Sequence, residues 1–478
     1  MKIKIPVIYA IFLCVSSVCL WGAKNIVLIM VDDMRFDQMS GAGHPFIETP
    51  NLDLLAKNSI SFSRAYVTSP VCGPSRASLY TARLPSDHHR YNNFLYGSDL
   101  EPYLPDAFRG AGYRTAMVGK FYERPHRDKK AMSKRYDRWF VSSGADMSGY
   151  TGAADDGPAK REYYLKHMYY DQKYDVDGVE QVIKGHQTDI LFAEATRFIE
   201  EQSEQPFMLL LHPFAPHSPF NPSERNLNRY KGKGLPLRPN QEFDKGWFGE
   251  RNELSNFEDV SERTCEMIVD IDEGVGQLIR MLSSSGKLEN TILVFTSDNG
   301  TQMGEHGFGW KRHPWEESIR VPLIIYDPDA YGTGVTEDAL VSIADLFPTL
   351  AEAVGVDLPE DPKRYGHSFL NLLRDVDALP QRGNLVVEQF PQEAKSRDME
   401  IGNYDWIALV RDDGFKYFKY LEETSMMRPD WGQEFLYNLE KDPYEQNNLV
   451  YNPEHGNVQV EMKAALKPIW NSNDSSNL

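Results

Sequence analysis

A chain of 478 residues, 41% hydrophobic and 25% charged, has an ordinary globular composition. It is long enough for two domains and too polar for a bundle of membrane spans. The net charge of −19 argues against nucleic acid and other polyanions as nonspecific partners. An anionic substrate stays open only if the site gathers its own cations.

Met1-Lys2-Ile3-Lys4 precedes a mostly apolar run from Ile5 to Leu20, then Trp21-Gly22-Ala23. A basic start, an apolar stretch and small residues predict a secretory signal peptide over 1–23. The run falls short of the ~20 residues of a helical membrane span. Cys14 and Cys19 leave with the peptide, so the mature chain keeps Cys72 and Cys265. An exported protein without a spare disulfide pair points to a bacterial periplasm or medium. Cys265, in an apolar helical stretch, reads as a packed core thiol.

The run 25–31 is continuously apolar and reads as a strand buried on both faces, ending at Asp32-Asp33. A helix follows over 51–58. Cys72-Gly73-Pro74 reads as the turn before a helix from Ser75 to Arg83, with Pro74 at its first position. The Cys72 side chain would then lie at a helix N-terminus, where a bare thiol has a lowered pKa and is nucleophilic. Strands are predicted at 115–118, 206–212, 291–296 and 321–326, and helices at 189–201, 261–282 and 343–354. Residues 127–184 and 221–258 are polar, aromatic-rich and weakly periodic, as substrate-facing loops often are.

Strands alternating with helices predict an α/β fold around a large, mostly parallel sheet flanked by helices. Polar clusters follow the strands: Asp32-Asp33, His212 to His217, and Ser297-Asp298-Asn299-Gly300. Ligands bind beyond such strand ends. Asp32, Asp33, Asp298 and Asn299 together offer four oxygen ligands, suited to a hard cation, Ca²⁺ first and Mg²⁺ or Mn²⁺ next. From about residue 380 short antiparallel strands take over, with Asp412-Asp413-Gly414 as a hairpin turn. The predicted division is 24–378 for a catalytic domain and 379–478 for a smaller C-terminal α+β subdomain with an antiparallel sheet.

Cys72-x-Pro74-Ser75-Arg76 followed by Leu79-x-Thr81-x-Arg83 resembles the activation signature of the type I sulfatases, with Ala82 where the family usually has Gly. Val31-Asp32-Asp33, Ser297-Asp298-Asn299-Gly300, Pro216-His217-x-Pro219-Phe220 and the closing segment Leu436-Tyr437-Asn438-Leu439 extend the resemblance over more than half of the mature chain. The resemblance implies the alkaline phosphatase fold and oxidation of Cys72 to formylglycine by a formylglycine-generating or anaerobic sulfatase-maturating enzyme. The hydrated aldehyde would be the nucleophile and, with Asp32, Asp33, Asp298 and Asn299, a metal ligand. Arg76 would hold that hydrate, Lys120 and Lys311 would contact sulfate, and His217 would protonate the departing alcohol. The family commonly has a histidine two or three residues after the first lysine. Here Tyr122 and Glu123 stand there, so Glu123 or a displaced His126 takes its role. His88 and His89 resemble a substrate-facing segment. The implied activity is hydrolysis of a sulfate monoester on a sugar, with a sulfated saccharide as partner, no nucleic acid, and no membrane once the signal is cleaved. The rivals are a phosphonate monoester or phosphodiester hydrolase, and a sulfoglycan-binding protein without turnover.

Overall fold

The computed structural model describes residues 23–93, 101–121, 133–142, 168–202, 204–243, 254–380, 382–390, 405–421 and 434–472. Residues 1–22 of the predicted signal peptide, Glu123 and His126 lie outside them. No helix among the described residues is long and apolar enough to cross a membrane.

Ten strands form the main sheet: β1 (Asn25–Val31), β2 (Ile60–Tyr66), β3 (Arg114–Gly119), β4 (Arg138–Ser142), β5 (Lys173–Val176), β6 (Val179–Val182), β7 (Phe207–His212), β8 (Thr291–Ser297) and, after a two-stranded hairpin of β9 (Gln302–Met303) with β10 (Gly309–Trp310), β11 (Leu323–Tyr326) and β12 (Val335–Ser342). Their order is β12-β2-β11-β8-β1-β7-β3-β4-β5-β6. β8, β1, β7, β3 and β4 run parallel, whereas β11 is antiparallel to both β8 and β2.

β1 shows why the centre of the sheet is apolar. Ile26, Leu28 and Met30 enter one core cluster, and Val27, Ile29 and Val31 enter the other, on the opposite face. Successive strand side chains alternate faces, so a strand covered on both sides must be apolar throughout. The helices Gln187–Glu200 and Leu254–Ser284 cover the second face. A separate antiparallel sheet, β13 (Asn384–Gln389), β14 (Trp406–Arg411), β15 (Phe415–Tyr420) and β16 (Glu434–Asn438), shares the first core through Leu385, Trp406 and Phe418.

Several boundaries differ from expectation, and the helix read over 51–58, α1, spans Pro50–Lys57. The helix of the cysteine signature, α2, spans Cys72–Thr81, beginning at the cysteine and closing on a left-handed Ala82 with φ 54°. Pro74 is therefore its third residue rather than its first, where it still needs no intrahelical donor. The strand read at 321–326 is β11, which starts at Leu323 and makes the sheet mixed, being antiparallel to its neighbours. β2 and β12 pair at the sheet margin with mixed burial, and their weaker alternation hid them. The stretch 127–184 is not all loop, because β4, β5 and β6 extend the sheet through it.

Candidate active site

Four neighbouring parallel strands aim their carboxyl ends at one place. β1 delivers Asp32 and Asp33, β8 delivers Asp298 and Asn299, β3 delivers Lys120, and the loop after β7 delivers His217. α2 adds Cys72 and Arg76, and the β9–β10 hairpin adds Lys311.

Backbone approaches make the convergence possible. The Lys120 N–H donates to the His212 carbonyl at 2.7 Å. A Cβ on Gly119 would lie 2.2 Å from that oxygen, and its φ is +109°, so this position requires glycine. Gly300 allows the same closeness, since a Cβ there would meet the Glu317 carbonyl at 2.1 Å. Ser75 Oγ donates to the Asp298 carbonyl at 2.5 Å, tying α2 to the second acidic loop.

The charges interlock around Cys72. Lys311 Nζ stands 2.7 Å from Cys72 Sγ and 2.5 Å from Asp33 Oδ1. Cys72 Sγ donates to Asp32 Oδ1 at 3.2 Å, and Lys120 Nζ donates to Asp32 Oδ2. Arg76 Nε donates to Asp298 Oδ2 at 2.8 Å, with both side chains fully buried. Asn299 Nδ2 meets Asp33 Oδ1 at 2.6 Å. His217 Nε2 faces Asp33 Oδ2 at 3.7 Å, while its Nδ1 lies 2.6 Å from the Ser218 carbonyl.

Burial alone would raise Asp32, but Lys120, then His217, Lys311 and Arg76, hold it well below the carboxylate range. Burial and the Asp32 carboxylate push Asp298 up to about 6. Burial opposes charge on Lys120 and Lys311, yet Asp32 beside the first and Asp33 beside the second raise both. The thiol departs from expectation. Burial first, then Asp298 and Asp32, push Cys72 up to about 12 and outweigh Lys120 and Lys311. A protonated thiol is a poor nucleophile.

The donor set fits a hard divalent cation. Asp32, Asp33 and Cys72 place ligand atoms within 4.8 Å of one another, with His217 alongside, and Asp298 and Asn299 border them. Arg76 Nη1 and Nη2 are buried without hydrogen-bond partners, which suits an additional oxygen on the cysteine position. A second trio, His306, Glu317 and Glu445, also clusters within 4.8 Å. There Lys416 lies 2.6 Å from Glu445 and Arg238 lies 3.8 Å from Glu317, so cations of the chain already neutralise it.

Other sequence candidates fall elsewhere. His88 is fully buried, its Nε2 3.0 Å from Ser78 Oγ and its Nδ1 accepting the Arg90 N–H, and burial lowers it to about 3. It packs α2 and does not face substrate. His89 lies 3.2 Å from the Tyr91 hydroxyl. His306 stacks on Trp315 and His313 on Phe308. Cys265 is buried beside His44, whose Nδ1 accepts the Ile47 N–H. The ring proton therefore sits on Nε2, 3.8 Å from the sulfur, where it donates and cannot serve as base.

Two residues of the site had weak sequence signals. Tyr169 Oη donates to the His217 carbonyl at 2.5 Å, from the stretch read as loop. Phe214 lies under Lys120 Nζ, 4.6 Å from the ring centroid. A cleft of about 320 Å³ also opens beside Arg35, His44 and Arg238, but no residue of the Cys72 centre lines it.

The model of the sulfatase family matches residues 24–356, and that of the N-sulphoglucosamine sulphohydrolase C-terminal region matches 304–472. The chain is 30% identical to an ulvan-active sulfatase of Formosa agariphila, covering 92% of this chain and 80% of that one. It is 25% identical to an N-acetylglucosamine-6-O-sulfatase of Bacteroides thetaiotaomicron, covering 93% and 85%. A solved structure of a protein in complex with its substrate D-glucosamine-2-N,6-O-disulfate superposes with TM-score 0.79 at 24% identity, over 95% of this chain and 99% of that one. The phosphonate monoester hydrolase of Agrobacterium radiobacter superposes with TM-score 0.71 at 21% identity, over 93% and 96%.

Proposed function

The chain belongs to the sulfatase family, and from that premise we propose that it removes sulfate from a sugar or a polysaccharide-derived oligosaccharide at the Cys72 centre. The observation that carries this reading is the position of Cys72 between Lys311 and Asp32, beside Arg76 with two unpartnered Nη atoms. The named relatives include enzymes acting on ulvan and on N-acetylglucosamine 6-sulfate, which supports a carbohydrate substrate.

The unpartnered Arg76 Nη1 and Nη2, which an oxygen added at the Cys72 position would satisfy, support conversion of Cys72 by a maturating enzyme. The formylglycine hydrate would supply the nucleophilic oxygen. Asp32, Asp33, Asp298 and Asn299 would hold Ca²⁺, which neutralises charge on the sulfate. Lys120 and Lys311, both largely buried, offset charge on the non-bridging oxygens. His217 donates from Nε2 to the departing alcohol while Nδ1–H bonds the Ser218 carbonyl, and Tyr169 fixes that backbone. Glu123 or His126 accepts the proton in sulfate release.

We place the protein in a bacterial periplasm or outside the cell, with residues 24–378 as catalytic domain and 379–478 as subdomain. The test couples mass spectrometry of the Cys72 peptide, after co-expression with a maturating enzyme, to a panel of sulfate, phosphonate and phosphodiester esters. A thiol-to-aldehyde mass change with sulfate turnover, both lost in Cys72→Ala, is expected. Full activity in Cys72→Ala, or preference for the phosphonate, would overturn the reading. Binding of sulfoglycan without turnover in the converted protein would make it a binding protein.

A further inference from the structure

Solvent reaches the Cys72 centre unevenly. Among the described residues His217 is the most exposed of its side chains at 24%, against 12–13% for Asp33, Lys120 and Lys311, while Asp32, Asp298 and Arg76 are fully buried. An alcohol leaving through His217 must therefore depart on the side of the loop 213–220. Two aromatic rings stand there. Phe220, three residues beyond His217, stacks on Trp310, next to Lys311, with centroids 5.8 Å apart and planes 11° from parallel. The pair joins the two loops that carry the acid and one of the lysines.

Trp310 is 37% exposed. One exposed aromatic residue would mean little on its own. Its backbone is what sets it apart. Trp310 has φ 71° and Arg312 has φ 84°, so Lys311 lies between two bulky residues in the left-handed region. Such conformations are strained for bulky residues and persist where the surroundings enforce them. Here they turn Lys311 inward to Cys72 and leave the indole outside, braced on one side by Phe220.

We propose that Trp310, braced by Phe220, is the stacking wall for the sugar ring that bears the sulfate, and so a specificity-determining residue. This deepens the carbohydrate reading above and rests on it. A pyranose presents an apolar patch of C–H bonds on its face, and an aromatic face is the surface that matches it. Phe220 covers one face of the Trp310 indole, and the other face would take the ring whose ester oxygen is protonated by His217. The contact involves atoms that do not react, so it acts mainly on binding.

The experiment compares the matured wild-type protein with Trp310→Ala, Trp310→Phe and Phe220→Ala on sulfated monosaccharides, N-acetylglucosamine 6-sulfate among them, and on propyl sulfate, which has no ring. In Trp310→Ala the selectivity for the sugar over propyl sulfate should fall about 5–10-fold, carried by KM more than by kcat. Trp310→Phe should restore most of it. Phe220→Ala should lower it about 2–3-fold, and keeps the test alive should Trp310→Ala fail to fold. If wild type hydrolyses propyl sulfate but no sulfated sugar, the carbohydrate reading falls and the wall with it. If wild type hydrolyses a sugar and both alanine variants keep its selectivity within twofold, the wall alone falls.

Discussion

Two buried charge clusters flank the segment 305–317, and they are built on opposite rules. At the Cys72 centre, carboxylates and cations converge on one side chain and leave donor atoms unused, as at Arg76 Nη1 and Nη2. In the second cluster, Lys416, fully buried in β15, holds Glu316 at 3.0 Å and Glu445 at 2.6 Å. Tyr66 also donates to Glu316, and the Glu316 N–H donates to Glu445. Arg35 pairs with Glu305 at 2.7 Å. Lys416 thus ties the C-terminal sheet to Glu316 on one side of Lys311, and Arg35 ties Glu305 on the other side to the loop after β1. Unspent donors mark a place for a ligand, and closed pairs mark a clamp.

The sharpest separation comes from removing one charge from each. Asp298→Ala leaves Arg76 unpaired and strips one oxygen from the metal set. Activity should drop at least about 10³-fold, with a lower melting temperature that added Ca²⁺ no longer raises. Retained metal-dependent stabilisation in this variant would remove Asp298 from the ligand set. Next in size is the release step. Glu123→Gln should slow turnover about 10²-fold and show a burst of alcohol before the slow phase. A burst in His126→Ala with a wild-type Glu123→Gln would move the role to His126. Lys416→Met acts on the other cluster. It strands buried carboxylates and should cost about 3–5 kcal/mol of stability. The turnover per folded molecule should stay near wild type. An active-site defect at unchanged stability would show that the clamp also tunes Lys311.

The machinery was more legible than the clamp. β1 and β8 are apolar from end to end, so the acidic pairs after them stood out at strand ends. Cys72, Arg76, Lys120, His217 and Lys311 are placed by the resemblance to the sulfatase motifs, and the structure brings all five together with the two acidic loops. Lys416 and Glu316 looked like ordinary surface charges, because burial that depends on the packing of two sheets leaves no local pattern. The raised thiol was missed for the same reason. A helix terminus is visible in sequence, whereas the carboxylates that oppose it arrive from strands 40 and 226 residues away. Tyr169 was hidden just before β5 and β6, which are four residues each, β6 exposed throughout, and carry no clear alternation.

Glu388 gives the smallest and most specific test of the boundary between the two regions. It sits on β13 of the C-terminal sheet, and its carboxyl oxygens accept the Ser86 N–H at 2.9 Å and Ser86 Oγ at 3.0 Å, just beyond the cysteine helix. Burial raises it from 4.5 to about 7 despite those two donors. The folded protein thus keeps a proton that the unfolded chain releases above its ordinary carboxyl pKa. This contribution is fully present below pH 4.5 and is lost as pH rises through 7, at most about 3 kcal/mol over the window. Glu388→Gln keeps the side chain's size and removes the titration. Its unfolding free energy should fall less steeply than that of wild type between pH 4.5 and 7, with the curves differing by a constant above that range. Parallel curves throughout the window would mean that Glu388 is ionised in the fold. The contact between β13 and the segment after α2 would then be a charged one.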